Sequence, residues 1–245
     1  MNLIGRVTRL VRYPVKSMAG ESLEQTAVEP YGLYGDRSHA FVDETKEGWD
    51  RYVTARRIPS LLRYRASLLP SGSGEEFPEV RIEAPDGRLL AWDEELRRDV
   101  QSLAGTRPLS MIRWRQDEQG LLAVDSAAIL IVTDRGLRRL AELLGRDRID
   151  PRRFRANVLL AIEEGGPDDD TALLGKRLHI GEHVVLDVRE ACERCSMITL
   201  DPDSGDRDVS ILRTVNEKLG LIFGVYASVI DCGSVRVGDS VFIGE

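Results

Sequence analysis

The sequence lacks an apolar run long enough to cross a bilayer. Its longest strongly apolar stretch, 127–132, falls far short of the roughly 20 residues a spanning helix needs. A signal-peptide core is missing too, because Arg6, Arg9 and Arg12 interrupt the start of the chain. Together these absences point to a cytoplasmic protein without membrane association. Cysteine is scarce and odd in number, three in all, with Cys192 and Cys195 close together. That pattern is no extracellular disulfide framework, and the close spacing suggests chemistry or a metal instead. The phosphate loops of nucleotide-binding folds are absent: Gly175-Lys176 has no upstream Walker glycine, and no Gly-x-Gly-x-x-Gly occurs. There is no basic excess either. With 34 Lys+Arg against 41 Asp+Glu, the formal charge is −7, which excludes a generally basic nucleic-acid binder.

What is present fits a soluble globular chain. It has 245 residues, 42% of them hydrophobic and 31% charged, too apolar for a disordered segment. A chain of this mass can bury about 70% of its surface without staples. Charge is uneven, with 11 Lys+Arg against 8 Asp+Glu in residues 1–70, a local +3 in an acidic protein. Such a segment can draw an anion into a cleft.

The hydrophobic patterning predicts many short strands: 7–15, 39–43, 64–69 and 80–84, with a turn at 85–88 leading into 89–92. Asp93 is placed to cap a helix with the stripe Leu96, Val100 and Leu103, which Gly105 would end. Residues 71–74 read as a flexible loop. After the polar stretch 116–120 comes a buried strand at 127–132, then a helix capped by Thr133 or Asp134 with Leu137, Leu140 and Leu144 facing inward. Further strands are expected at 155–161, 178–180, 184–188, 222–230, 235–237 and 240–243, with a third helix at about 210–219. Strands predominate without regular βαβ alternation, so the fold class is β-rich α+β with a barrel architecture.

Several clusters suggest chemistry. His179, His183, Cys192 and Cys195 form a nominal four-ligand zinc set, yet 178–186 alternates like a hairpin turning at Gly181-Glu182. Cys192 and Cys195 could pair reversibly, although a thioredoxin-type motif requires a helix that the flanking pattern does not supply. Cys195 follows Arg194, a neighbour that suits nucleophilic attack or soft-metal ligation, whereas Cys232 reads as a packing residue. Lys16 and Ser17 follow a strand broken at Pro14, and Arg37 precedes another strand. Alternation places Arg155 and Asn157 on one face of a strand. With Arg194, these residues supply the donors that a phosphorylated heterocyclic anion requires.

In order along the chain, Tyr13-Pro14-Val15-Lys16-Ser17, Gly32-Leu33-Tyr34-Gly35-Asp36-Arg37, Thr54-Ala55-Arg56, Arg153-Phe154-Arg155-Ala156-Asn157, Cys192-Glu193-Arg194-Cys195, Asp201-Pro202-Asp203-Ser204-Gly205, Phe223-Gly224-Val225-Tyr226 and Val237-Gly238-Asp239 form a connected set. In this set the sequence resembles MOSC-domain proteins, the group named from the C-terminal domain of molybdenum-cofactor sulfurase, in the subgroup with a preceding N-terminal β-barrel. Within that group it is similar to the mitochondrial amidoxime-reducing components and their bacterial counterparts. The resemblance implies a smaller N-terminal β-barrel-like domain over 1–115, a MOSC β-barrel over 116–245, and a few peripheral helices. It implies molybdenum cofactor (molybdopterin), with Cys195 as metal ligand and catalytic centre. Lys16, Ser17, Arg37, Arg155 and Asn157 would contact the cofactor, with Arg56, Arg194 and the helix start at Thr133 and Asp134 as further contacts.

The implied activity is reduction of a small N-hydroxylated compound. The chain ends at Glu245 without a cysteine-rich ferredoxin-like tail and lacks the mitochondrial membrane anchor. Electrons are therefore expected from a separate donor protein, whether a reductase, a ferredoxin or a cytochrome b5-like protein. There is no room for the pyridoxal-phosphate domain of cofactor sulfurase, so pyridoxal phosphate would enter only by association with that relative. Two alternatives remain open. One is a sulfur transferase or cofactor carrier using a persulfide or thiolate at Cys195; the other is a zinc-stabilised binding barrel that depends on His179 and His183.

Overall fold

A computed structural model describes residues 1–70, 75–117, 120–124 and 126–244. The expected loop at 71–74, and part of the polar stretch 116–120, lie outside the described residues.

Seven strands close on themselves: β1 (Asn2–Arg12), β2 (Ile129–Thr133), β3 (Val158–Ile162), β4 (Arg177–Ile180), β5 (Val184–Glu193), β6 (Ile222–Asp231) and β7 (Ser240–Gly244). Their order around the barrel is β3-β2-β6-β5-β4-β7-β1, and β1 pairs back onto β3. The β2–β3 pair is parallel and the other pairs are antiparallel. Two register shifts in β1, between Leu3 and Gly5 and between Val7 and Arg9, break its simple alternation, so that Ile4, Val7 and Leu10, spaced by three, are all buried with Ile131, Leu160, Leu178, Leu186 and Val225, while Arg6 and Thr8 face water.

The first strand thus belongs to the barrel built mainly from residues beyond 128. The remainder of the first half makes smaller sheets. His39–Asp43 pairs with Leu109–Arg113, Arg65–Leu68 with Val80–Glu83 and Leu89–Leu90, and Gln25–Glu29 pairs with both Gly32–Leu33 and Gly233–Arg236. A second apolar core fills the space between two of these sheets and helix α1 (Glu94–Ala104), where Phe41, Ile82, Leu96 and Val100 are buried.

Among the described residues there are three α-helices, and each starts on a side-chain cap. Asp93 accepts from Glu95 and Leu96 N–H ahead of α1, Thr133 from Gly136 N–H ahead of α2 (Asp134–Leu143), and Asp208 from Ser210 N–H ahead of α3 (Val209–Leu219). Strand boundaries differ from expectation in several places; the strand expected at 184–188, for example, runs on to Glu193. The first strand stops at Arg12, before Pro14 removes a ladder donor. The expected strand at 155–161 begins only at Val158, because a short 3₁₀ turn at Pro151–Phe154 hands over to Arg155 in the left-handed region, φ 55°. No described helix is long and apolar enough to cross a membrane.

Gly5 lets β1 approach β3. An added Cβ would sit 2.1 Å from the Ala161 carbonyl oxygen, inside contact distance of backbone that cannot move alone. Gly5→Ala is therefore expected to cost about 2 kcal/mol, read from the midpoint of urea unfolding.

Candidate functional site

The barrel mouth and the first half of the chain enclose a cleft of about 740 Å³, including its open mouth. From the first half it takes Lys16, Ser17, Arg37, Thr54 and Arg56. The barrel half supplies Arg155, Asn157, Cys192, Glu193, Arg194 and Cys195. The cleft thus collects Lys16, Ser17, Arg37, Arg56, Arg155, Asn157, Arg194 and Cys195, which come from points spread over 180 residues of chain. Five of them are cations, and Glu193 is the only carboxylate on the cleft wall among the described residues.

Thr133 and Asp134 are not part of it. Thr133 is fully buried, with its N–H and hydroxyl both donated to Asp170 Oδ1 at 2.7 and 2.6 Å. Asp134 accepts from Ile162 N–H at 3.0 Å and pairs with Arg138. The expected contact at this helix start is therefore corrected: its polar groups are consumed in tying α2 to the barrel.

The cleft backbone is held under strain. The described non-glycine residues with positive φ are Ser17 (69°), Arg37 (52°), Arg155 (55°) and Leu221 (69°). The first three line the cleft, and Leu221 accepts the Arg194 N–H at 2.8 Å. Each left-handed residue costs about 1 kcal/mol, so their gathering at one cleft marks a place built for something other than stability.

Tyr13 organises the cationic wall. The Arg37 and Arg155 guanidiniums lie 4.6 and 4.2 Å from its ring centroid. Burial pushes the phenol pKa up against the opposing pull of Arg155 and Arg37, so it stays neutral. The buried Asp36 carboxylate accepts from Tyr13 N–H at 2.7 Å and also holds Arg37. Arg155 donates to the Met18 carbonyl at 2.8 Å. Asn157 borders the cleft with its amide committed inward: Oδ1 accepts from Leu130 N–H and Arg37, and Nδ2 donates to Val11 C=O. It therefore positions Arg37 and joins β1 to β2.

Lys16 is almost fully buried. Its ammonium donates to the Ala123 carbonyl at 2.7 Å and lies 4.6 Å from the Trp49 ring centroid. The backbone around it is held by His39, whose carbonyl accepts the Lys16 N–H at 2.9 Å. Burial, aided by Arg113, lowers the imidazole pKa to about 3, which makes His39 a neutral support and not a proton source.

The two sulfurs differ. Cys192 is buried on β5 and receives a bond from Arg194 Nη1 at 2.8 Å, while Arg194 Nη2 donates to the Phe154 carbonyl. The guanidinium expected beside Cys195 thus faces Cys192. Arg194 Nε is buried with no protein partner among the described residues, an orphaned donor at the cleft. Cys195 is partly exposed at the end of β5, heading the short turn Ser196–Thr199. It also lines a wider outer cleft of about 1390 Å³, with Trp49, Tyr52 and Tyr226.

The zinc set does not assemble. His183 immediately precedes β5 and Cys192 lies nine residues further on, about 30 Å at strand rise. No group of three or more metal-ligating side chains forms among the described residues. Cys232 is exposed, not packed. Sequence reasoning gave no role to Tyr13, although it stood in a quoted stretch, and offered Cys192 only as a zinc ligand or disulfide partner; an aromatic ring between two arginines distant in the chain leaves no signal in one dimension.

A closed barrel with a cationic mouth and a thiol at its rim defines the class of protein. The MOSC domain matches residues 118–242 and the MOSC N-terminal beta barrel domain matches residues 4–133, and the chain belongs to the MOSC-domain family. It is 28% identical to mitochondrial amidoxime reducing component 2 of Homo sapiens, over 98% of this chain and 83% of that protein. It is 24% identical to molybdenum cofactor sulfurase of Caenorhabditis briggsae, over 90% of this chain but only 33% of that protein, so it spans about a third of that relative. Among solved structures, the YUAD protein from Bacillus subtilis superposes with a TM-score of 0.50 at 15% identity, covering 98% and 94% of the two chains.

Proposed function

We propose that this protein binds molybdenum cofactor in the cationic cleft and reduces small N-hydroxylated compounds, with electrons delivered by a separate donor protein such as a reductase, a ferredoxin or a cytochrome b5-like protein. The observation that carries the reading is the position of Cys195, which borders both the inner cationic cleft and the wide outer cleft. The residues present suit the group. A phosphorylated pterin needs compensating cations, and Lys16, Arg37, Arg56 and Arg155 supply them with the Ser17 hydroxyl. The orphaned Arg194 Nε is a buried donor that such a ligand would satisfy. A thiolate at Cys195 is the soft ligand molybdenum prefers.

When bound, the cofactor supplies two-electron chemistry at the N–O bond of the substrate. The protein's own contribution is placement. Tyr13 and Asp36 fix Arg37 and Arg155 in advance, so little reorganisation accompanies ligand entry. Trp49, Tyr52 and Tyr226 give the outer cleft flat apolar faces on which a planar amidoxime or hydroxylamine can lie. The balanced reaction consumes an N-hydroxylated base, two electrons and two protons, and yields the reduced base and water.

The family's relatives named for cofactor sulfuration suggest a second reading, a sulfur transferase or cofactor carrier, and one feature favours it: two cysteines, not one, line the cleft. Protein made in a cofactor-producing host distinguishes the two. The reductase reading expects about one molybdenum per chain by elemental analysis and turnover of benzamidoxime with a chemical reductant. A persulfide at Cys195 by mass spectrometry, without turnover, supports the carrier instead.

A further inference from the structure

The wide outer cleft carries charge of its own. Among the described residues its charged wall groups are Asp50, Arg56 and Arg57 from one segment and Glu190 and Glu193 from β5. None of the five makes an ion pair, although both signs face one concavity. Elsewhere the chain pairs such groups freely, as Arg152 with Asp150 and Asp203, or Arg97 with Glu94. The β5 carboxylates and the guanidiniums of the other segment thus line the same space without meeting.

The two signs are not equally free. Arg56 also lines the inner cleft, where it is one of the cations proposed to face the cofactor. Asp50 offsets Arg57, which leaves Glu190 and Glu193 as an excess of two negative charges. Their placement is ordered. Glu193 borders both clefts and stands two residues before Cys195 in the chain. Glu190 lies three residues further back, about 10 Å at strand rise, and its carboxylate accepts from the Ser126 hydroxyl at 2.7 Å. Across the ladder Glu190 is paired with Tyr226 and Glu193 with Ile222, and both partners also line the outer cleft. The wall leading to the thiol is therefore acidic along one edge and apolar beside it.

We propose that the outer cleft selects N-hydroxylated substrates that carry a separate permanent positive charge, with Glu190 and Glu193 as the residues that set this specificity. The inference rests on the reductase reading for what is turned over, and on the cleft wall alone for what is bound. A cleft walled by one sign of charge over low-dielectric surface concentrates ligands of the other sign. The aromatic and aliphatic side chains receive the planar body of such a ligand while its cationic end faces the two carboxylates. Both glutamates are exposed, so the preference is moderate and sensitive to salt.

Calorimetric titration and turnover of three benzamidoximes test this, using protein from a cofactor-producing host. One carries a para trimethylammoniomethyl group, one the neutral neopentyl group of the same shape, and one a carboxylate. The cation is expected to bind about fivefold more tightly than its neutral isostere, with KM lowered to match and kcat alike, and the carboxylate to bind worst. Salt at about 0.5 M is expected to shrink the preference. Glu190→Gln combined with Glu193→Gln should bring the ratio of cation to isostere to about one, whereas Glu190→Asp combined with Glu193→Asp keeps most of it. Equal binding of cation and isostere by the parent, or binding of neither, overturns the proposal, and so does a preference that survives the double glutamine variant. Binding measured without reductant reports the cleft wall independently of the chemistry. A cation preference in binding, with turnover of none of the three compounds, supports the charge selection and counts against the proposed function alone.

Discussion

Cys195→Ser, made beside the parent chain in a host that produces the cofactor, is expected to lose its molybdenum and lower amidoxime turnover by more than about 100-fold, because a neutral hydroxyl is a poor ligand for a soft metal. Unfolding will not account for the loss. Cys195 heads the Ser196–Thr199 turn in extended conformation without making a side-chain cap bond, and serine is a better residue there than cysteine. Thermal stability should be unchanged or slightly raised. Cys192→Ser supplies the comparison. Its hydroxyl can still accept from Arg194, so metal content should stay within about twofold of the parent. Full molybdenum in Cys195→Ser, measured by elemental analysis, would refute the ligand assignment, and loss in Cys192→Ser alone would move that assignment three residues upstream.

The largest stability effect is expected at Asp170, which is buried and does not line the cationic cleft. Its carboxylate accepts from Thr133 N–H and hydroxyl and from Gly224 N–H, joining β2, β6 and the start of α2. Asp170→Ala strands three buried donors and opens a void, costing about 4 kcal/mol, or roughly 10 °C in Tm for a chain of this size. The effect carries a pH signature. Burial, opposed by the bonds from Thr133 and Gly224, raises the Asp170 pKa from the ordinary 3.8 to about 6. A carboxyl with a raised native pKa stabilises the fold fully below its unfolded pKa, and that contribution fades as pH rises through the native value. Between pH 4 and pH 7 it should fall by up to about 3 kcal/mol. The stability gap between parent and Asp170→Ala, from urea unfolding, is thus expected to be wider at pH 4.5 than at pH 7.5. A gap that widens toward neutral pH would show that the three hydrogen bonds outweigh burial.

Much of the fold was legible because its signals are local. Asp93 with Leu96 and Val100, and Thr133 with Leu137 and Leu140, state a cap and an inner stripe within one short window each, and both helices form there. The barrel class followed from the excess of strands over helices. The strand expected at 155–161 starts only at Val158, because alternation from Arg155 to Ala161 satisfies the strand pattern while the backbone turns at Arg155. A left-handed arginine has no local sequence signature, being imposed by contacts such as its bond to the Met18 carbonyl, far away in the chain. The same limit governs the site. The resemblance singled out Lys16, Arg37, Arg155 and Cys195, and the fold brings them to one cleft. The failure at Thr133 and Asp134 has a different cause: a helix N-terminus reads alike whether its donors face a ligand or a buried carboxylate, and here Asp170 fills that place.

The membership of β1 in a barrel otherwise assembled from residues beyond 128 has a consequence for biogenesis. On the ribosome this strand emerges long before its two barrel neighbours, β3 and β7. At about 5 to 20 residues per second, only its end at Leu10–Arg12, which pairs with Glu21–Leu23, finds a partner early, and the rest waits many seconds. The nascent chain must shield Ile4, Val7 and Leu10 in the meantime, so chaperone dependence in the cell should concentrate on residues 2–12.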